Sequence, residues 1–357
     1  MHKGRSHPLR IAGKRLMLYA LRAAGLFAVA RRLSRRRLRI LCYHGFSIGD
    51  QHEYAPILFM RPEVFARRLE LLERLGHPVL PLAEALDRMR HGKIGRAEVV
   101  ITIDDGWKST AALAAPLLKR HKMAASLYLT TFHAERGDVV PDAAIAYMLW
   151  RTARSTMKVR GVARELDGDF DIRGNEAALI VRWTDYARGC ADAGACEGLL
   201  KTLAAILDVD FAAVAQRARF ALVGPEDVAC LRDSGIDIQM HTHTHNLPPT
   251  DFEAAATEIR ENRRALERMG VAGAVHFCYP SGRYSPQHPQ WLAKLGVESA
   301  MTCDVGSNAH GDSPYLLKRY LDRDDAWDVE FEAELSGISD LLRSLRGTIG
   351  RPPETPT

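Results

Sequence analysis

Residues 99–107 read Val99-Val100-Ile101-Thr102-Ile103-Asp104-Asp105-Gly106-Trp107. A continuous apolar, β-branched run is what a strand covered on both faces looks like, so 99–103 reads as a buried strand of a parallel sheet. Two adjacent carboxylates end the run and a glycine follows. Carboxylates within a few ångströms of each other resist ionising together unless a cation is near. At a strand end, with Gly106 letting the chain turn, both can face one site. Read alone, the pair serves equally well as a helix cap.

Outward from this strand, elements alternate. Arg39–His44 reads as a first buried strand, Pro62–Gly76 as a helix with Val64, Phe65, Leu69, Leu72 and Leu75 at near-helical spacing, Val79-Leu80 as a short strand and Leu82–Arg90 as a helix. Downstream, a helix is expected over Ser109–His121 and a strand over Ala125–Leu129. Strands alternating with helices imply βα units. The rhythm breaks over 135–222, where Ala143–Arg154, Glu176–Arg188, Glu197–Leu207 and Phe211–Phe220 read as helices, and Asp167-Gly168 within Lys158–Ile172 reads as a hairpin turn. It resumes with strands at Ile236–Met240, Val275–Tyr279, Val297–Thr302 and Tyr315–Tyr320, and helices at Asp251–Met269 and Trp291–Leu295.

With 357 residues, 46% hydrophobic and 26% charged, the chain has the make-up of a globular protein of one large or two ordinary domains. A polytopic membrane protein is excluded by the lack of long uncharged apolar stretches. Residues 1–40 carry 12 of the 49 Lys/Arg and no Asp/Glu, leaving 37 basic against 44 acidic residues in the body. The body therefore offers no broad basic surface, and nucleic acid is not an expected partner. Six sparse cysteines without a CxxC pair predict no disulfide framework and favour a reducing compartment.

The basic arm has several readings. Leu16–Ala30 is mostly apolar between basic clusters, but is short for a spanning helix and holds Arg22. Ala28-Val29-Ala30 has the form of a signal-peptide cleavage site, which the following arginines oppose. An interfacial helix on an anionic membrane surface, a helix packed on the body and a solvated tail are the other readings.

Two further stretches carry chemistry. His241-Thr242-His243-Thr244-His245 follows a strand. In extended chain His241 and His245 would lie about 13 Å apart, too far to share a metal. On a turn they approach to about 6 Å. Two histidines and a carboxylate form a catalytic-type zinc set, with a position left open for water. His243 is expected to face away from the metal. Tyr279-Pro280-Ser281-Gly282 after a strand forces a tight turn that can present N–H groups to an oxyanion.

Together these stretches resemble the polysaccharide deacetylase family, the NodB-homology enzymes of carbohydrate esterase family 4. The family's T-F-D-D-G appears as Thr102–Gly106, its H-[ST]-x-[ST]-H as His241–His245, and its R-x-x-[FY]-P-x-G as His276–Gly282 with His in place of Arg. Leu41-Cys42-Tyr43-His44 looks like its first-strand Y-H, and Ala300-x-Thr302, Gly306-x-Asn308 and Leu317-Lys318-Arg319 look like later strands of one branch. The resemblance implies an α/β fold, a distorted (β/α)7 barrel, with all three motifs at the C-terminal strand ends where barrel sites lie. The chain would then divide into a basic arm (1–38), a first barrel part (39–134), a mainly helical insertion (135–222), a second barrel part (223–330) and a C-terminal helix and tail (331–357) with frayed last residues.

The resemblance also implies roles. Asp104 would be the general base. Asp105, His241 and His245 would hold one divalent metal ion, zinc above all. Thr242 would brace the metal loop, and the Tyr279 N–H, on the turn of Pro280 and Gly282, would bind the oxyanion. Because His276 replaces the arginine that orients the base, Arg319 or Arg283 is the expected substitute. The family's late leucine–histidine motif, source of the general acid, is not evident; His44 is the first candidate acid and His310 the second. The function implied is removal of an N-acetyl or other N-acyl group from an amino-sugar glycan or lipid-linked sugar, by metal-activated water. The alternatives are a deformylase or amidase on a lipid-linked amino sugar and a non-catalytic, membrane-associated glycan-binding module. The expected location is cytoplasmic, peripheral on the inner membrane face through residues 1–38, with export as the alternative.

Overall fold

The structure is a computed structural model and describes residues 8–215 and 217–345. Seven parallel strands close into a barrel: β1 (Arg39–Tyr43), β2 (Val99–Ile103), β3 (Ala125–Leu129), β4 (Ile236–Met240), β5 (His276–Cys278), β6 (Ser299–Val305) and β7 (Leu317–Leu321). Each pairs with the next in chain order, and β7 closes on β1 through Leu41–Tyr320 and Cys42–Leu321. The register slips between Met301 and Val305, which distorts the wall at β6–β7.

Alternation along the strands sorts side chains into two layers. Leu41, Tyr43, Ile101, Ile103, Leu127, Leu129, Ile238, Met240 and Phe277 join the large cluster with the surrounding helices. Ile40, Val100, Tyr128, Cys278 and Leu317 pack with Leu82, Leu86, Met89 and Ile94, which close the end where the strands begin. The other end is left for the polar residues that follow β2, β4 and β5.

The helices Pro62–Leu75, Leu82–Arg90 and Phe252–Arg268 lie where the periodicity places them. Val79-Leu80 forms only an isolated bridge to Val99, and the helix after β2 opens with a π-helical turn, Thr110–Ala114, before Ala115–His121. Between β3 and β4 the chain builds helices Pro141–Arg151, Glu176–Arg188 and Ala193–Leu207 and a hairpin of Thr156–Val159 with Gly168–Asp171. Its turn is not the tight one expected at Asp167-Gly168. Gly168 already pairs with Val159, and Asp167 accepts the Gly161 and Val162 N–H groups across the intervening loop.

The basic arm packs on the body. Helices Pro8–Ala23 and Leu26–Leu33 bury Leu18, Phe27 and Ala30 against Val329, Ala333 and Ile338. Those partners belong to the helices Asp328–Ser336 and Ile338–Leu345. Lys14 and Arg15 meet Glu330 at 3.0 and 3.1 Å, and Arg22 meets Glu332 at 3.0 Å. The reading of residues 16–30 as a solvated tail is therefore corrected: an apolar stripe gains more by burial than by solvation. No helix among the described residues is long and apolar enough to cross a membrane. Residues 1–7 of the arm and the tail from 351 onward lie outside the described residues.

Candidate active site

β2 delivers Asp104 to the barrel interior, where only 3% of it stays exposed. A lone buried carboxylate would be costly, and it is matched from across the barrel. Arg319 on β7 donates to Oδ1 from Nη1 at 2.7 Å and to Oδ2 from Nη2 at 2.8 Å. Burial pushes the Asp104 carboxyl up, but the guanidinium fork outweighs it and holds the pKa at about 2. The Cys278 and Cys42 thiols contact the same Oδ2 at 3.4 and 3.6 Å. Burial raises both thiols well above their usual range, which keeps them protonated donors.

Asp105 turns the other way. Its φ of 68° and the 92° of Gly106 reverse the chain, and a Cβ on Gly106 would come within 2.1 Å of Leu129 Cδ1. Asp105 Oδ1 then lies 3.4 Å from His241 Nε2 and 3.4 Å from His245 Nε2. The imidazole rings sit 5.0 Å apart, so the loop brings together what an extended strand would separate. Trp107 Nε1 donates to Asp105 Oδ2 at 2.9 Å. His241 Nδ1 pairs with the Cys278 carbonyl at 2.8 Å, which fixes the ring and leaves Nε2 facing Asp105. Burial would raise the Asp105 carboxyl, but its two histidine neighbours hold it well below the usual carboxylate range.

This donor set fits a divalent metal. Two imidazole nitrogens and a carboxylate oxygen lie within 4.8 Å of one another, and the tautomer fixed on His241 aims its free nitrogen inward. Two nitrogens and one oxygen are the ligands of open, catalytic zinc sites.

The remaining predicted residues divide. His44 lies at the same barrel end, with Nε2 4.0 Å from Asp104 Oδ2 and Nδ1 buried without a partner. Pro280 and Gly282 form the turn after β5; Gly282 has φ 67°, and a Cβ there would lie 2.5 Å from Cys303 Cβ. His276 bonds Ser299 Oγ at 2.9 Å, and the exposed Arg283 is not among the partners of Asp104, so of the two expected substitutes Arg319 is the arginine on Asp104.

Three expectations are corrected. The Tyr279 N–H donates to the Met301 carbonyl at 3.0 Å, because β5–β6 pairing continues one residue past the strand; it is not a free oxyanion donor. Thr242 is buried with its hydroxyl unpartnered, and the loop is braced instead through Thr244, whose N–H and hydroxyl donate to Glu258 at 2.8 and 2.7 Å. His310 bonds the Met89 carbonyl at 3.2 Å, at the strand-start end, because the chain after β6 runs back down to begin β7. Sequence reasoning missed Trp107 on Asp105 and the two thiols on Asp104. The cysteines look like ordinary core residues in their strands, and only barrel closure makes them neighbours of the carboxylate.

The family model described as polysaccharide deacetylase matches residues 186–300. That stretch contains both histidines and the Tyr279–Gly282 turn, while Asp104, Asp105 and Arg319 lie outside it and reach the site through the barrel. Among solved structures, the chain is similar to the deacetylase PplD of Streptococcus pyogenes, in complex with acetate, at 16% identity and TM-score 0.56, covering 84% of this chain and 98% of that one. It is also similar to IcaB from Ammonifex degensii at 18% identity and TM-score 0.52, over 84% and 97% of the two chains. At these identities the likeness is one of fold. No curated protein matches the chain. With its three motifs in order at one end of a seven-stranded barrel and the family match over two of them, the chain is similar to the polysaccharide deacetylases across residues 186–300 and in its fold.

Proposed function

We propose that this protein removes N-acetyl groups from an amino-sugar glycan by hydrolysis, using a divalent metal, zinc, held by Asp105, His241 and His245. One observation carries the reading: the three donors converge within 4.8 Å beside a carboxylate gripped at both oxygens by a buried arginine. When bound, the metal supplies Lewis acidity, making water a stronger acid and the acyl carbonyl a better electrophile. Asp104, ionised throughout the neutral range, accepts the proton of the attacking water. Arg319 fixes the direction of both Asp104 oxygens. His44 donates a proton to the departing amine, and the glycan lies across the open barrel end.

The arm extends the reading to location. Leu16, Leu26, Val29 and Leu33 stay exposed on its outer face, with Arg32, Arg35 and Arg36 beside them. Apolar side chains ringed by arginines suit an anionic bilayer surface, so the protein sits peripherally on the cytoplasmic face of the membrane.

The test is acetate and formate release from N-acetylated oligosaccharides and from a lipid-linked sugar extract, with and without zinc, using Asp104→Asn as control. Zinc-dependent acetate release that Asp104→Asn abolishes, while zinc uptake persists, is expected; His241→Ala should lose both. Formate release in its place would make the enzyme a deformylase. Zinc-loaded protein that binds the oligosaccharides without releasing acid would make it a glycan-binding module.

A further inference from the structure

The His241–His245 loop holds an unfavourable backbone. Thr242 and His245 have φ of 63° and 57°, a left-handed conformation that non-glycine residues avoid and that persists only where the surroundings impose it. What imposes it here is concentrated on one helix. Asn262 of Phe252–Arg268 is fully buried and accepts the His241 N–H at 2.9 Å. Its amide nitrogen donates to the Leu129 carbonyl and to Thr131 Oγ1, both at 3.0 Å. Thr131 Oγ1 in turn bonds His243 Nδ1 at 2.9 Å, so the histidine between the two ligand candidates is itself tied to the end of β3. One helical turn before Asn262, Glu258 accepts both the N–H and the hydroxyl of Thr244. Residues at i and i+4 share a helix face, so one face grips the loop at its first residue and again next to its last.

We infer that Glu258 and Asn262 form a two-point clamp that sets the metal affinity of this site. They are positioning residues: neither lies among the three donors, and each acts on the backbone that carries them. Asn262 fixes where His241 leaves β4. Glu258 fixes Thr244, and with it the left-handed turn at His245. The clamp assembles the donors before any ion arrives, so little of the binding free energy goes into ordering the loop. This inference rests on the metal reading proposed above.

The test is zinc affinity of metal-stripped full-length protein, measured by competition with a chromophoric chelator, beside the thermal midpoint of the same samples. Asn262→Ala should weaken zinc binding about ten-fold or more, the range in which outer partners of metal ligands act. Glu258→Ala should weaken it as well, and Glu258→Gln, which keeps an acceptor for Thr244, should recover most of the loss. Ile259→Ala, a buried apolar residue of the same helix, separates the clamp from plain packing. It should lower the thermal midpoint and leave zinc affinity within about two-fold of wild type, as an apolar residue with no hydrogen bond to the loop. Should Asn262→Ala fail to fold, the half-buried Glu258 pair carries the test. Unchanged affinity in the clamp variants, or an equal loss in Ile259→Ala, would overturn the clamp. Wild-type protein that takes up no divalent metal would overturn the metal reading itself.

Discussion

Arg319 holds both carboxylate oxygens of Asp104 although 215 residues separate the two in the chain. The pair spans the barrel interior from β7 to β2, passing β1, and both partners are buried. His276, at the start of the third motif, makes no contact with Asp104 and spends its ring on Ser299. The arginine that the third motif lacks enters from another strand.

Removing Arg319 should strand a buried negative charge. Arg319→Met is expected to cost about 3–5 kcal/mol in urea unfolding and to reduce turnover by about a hundred-fold or more. Arg319→Lys keeps the charge but loses the two-pronged geometry, so it should fall between wild type and Arg319→Met in both measurements. Wild-type turnover in Arg319→Met would remove it from the base.

The turn after β5 has no room for a side chain. Gly282→Ala should cost about 1–3 kcal/mol, because the new Cβ meets Cys303 at 2.5 Å in a left-handed backbone. Gly296→Ala provides the comparison: its φ is 72° but nothing lies within 4 Å, so only the backbone penalty of about 1 kcal/mol applies. Equal losses at the two positions would show that the contact with Cys303 does not matter.

Acid should weaken the fold through His77. Burial lowers its pKa to about 4, and Nδ1 pairs with the Ala97 carbonyl at 2.9 Å. An imidazole kept neutral in the fold contributes stability above its unfolded pKa, near 6.5, and loses it as pH falls towards 4. The loss amounts to roughly 3 kcal/mol at about 1.4 kcal/mol per pH unit. His77→Asn keeps a donor for Ala97 without the titration. Its urea midpoint should therefore fall less than that of wild type between pH 7 and pH 4.5.

The arm has an inner and an outer face that can be changed separately. Phe27→Ala should destabilise the protein by about 3 kcal/mol by emptying the contact with the C-terminal helices. Replacing Arg32, Arg35 and Arg36 with Glu should leave the thermal midpoint unchanged and release the protein from anionic vesicles, since each arginine contributes about 1 kcal/mol to such binding. Undiminished co-sedimentation of that triple variant would end the membrane reading.

What could be read from the sequence was local. The apolar run before Asp104, the paired histidines and the alternation of elements announce a parallel sheet with polar strand ends, because each signal lies within a few residues, while the closed barrel was implied by the family resemblance. What escaped was set by closure. Nothing near residue 279 reveals that its N–H is already spent on Met301, and nothing near residue 310 shows that its loop runs to the far end of the barrel. Asn262 did leave a trace. It interrupts the buried stripe of Ala255, Ile259, Ala265 and Leu266, and a polar side chain in such a stripe needs partners. The hairpin turn failed for the opposite reason: a strong two-residue signal at Asp167-Gly168 served a longer loop.

The docking of the arm on Asp328–Ser336 and Ile338–Leu345 sets an order of events during synthesis. The helices Pro8–Ala23 and Leu26–Leu33 are synthesised well before their partners, so Leu18, Phe27 and Ala30 lack their cover until Val329, Ala333 and Ile338 have emerged. Until then the nascent chain carries a cationic segment with an apolar face open, and synthesis of Asp328–Leu345 is what puts that inner face away.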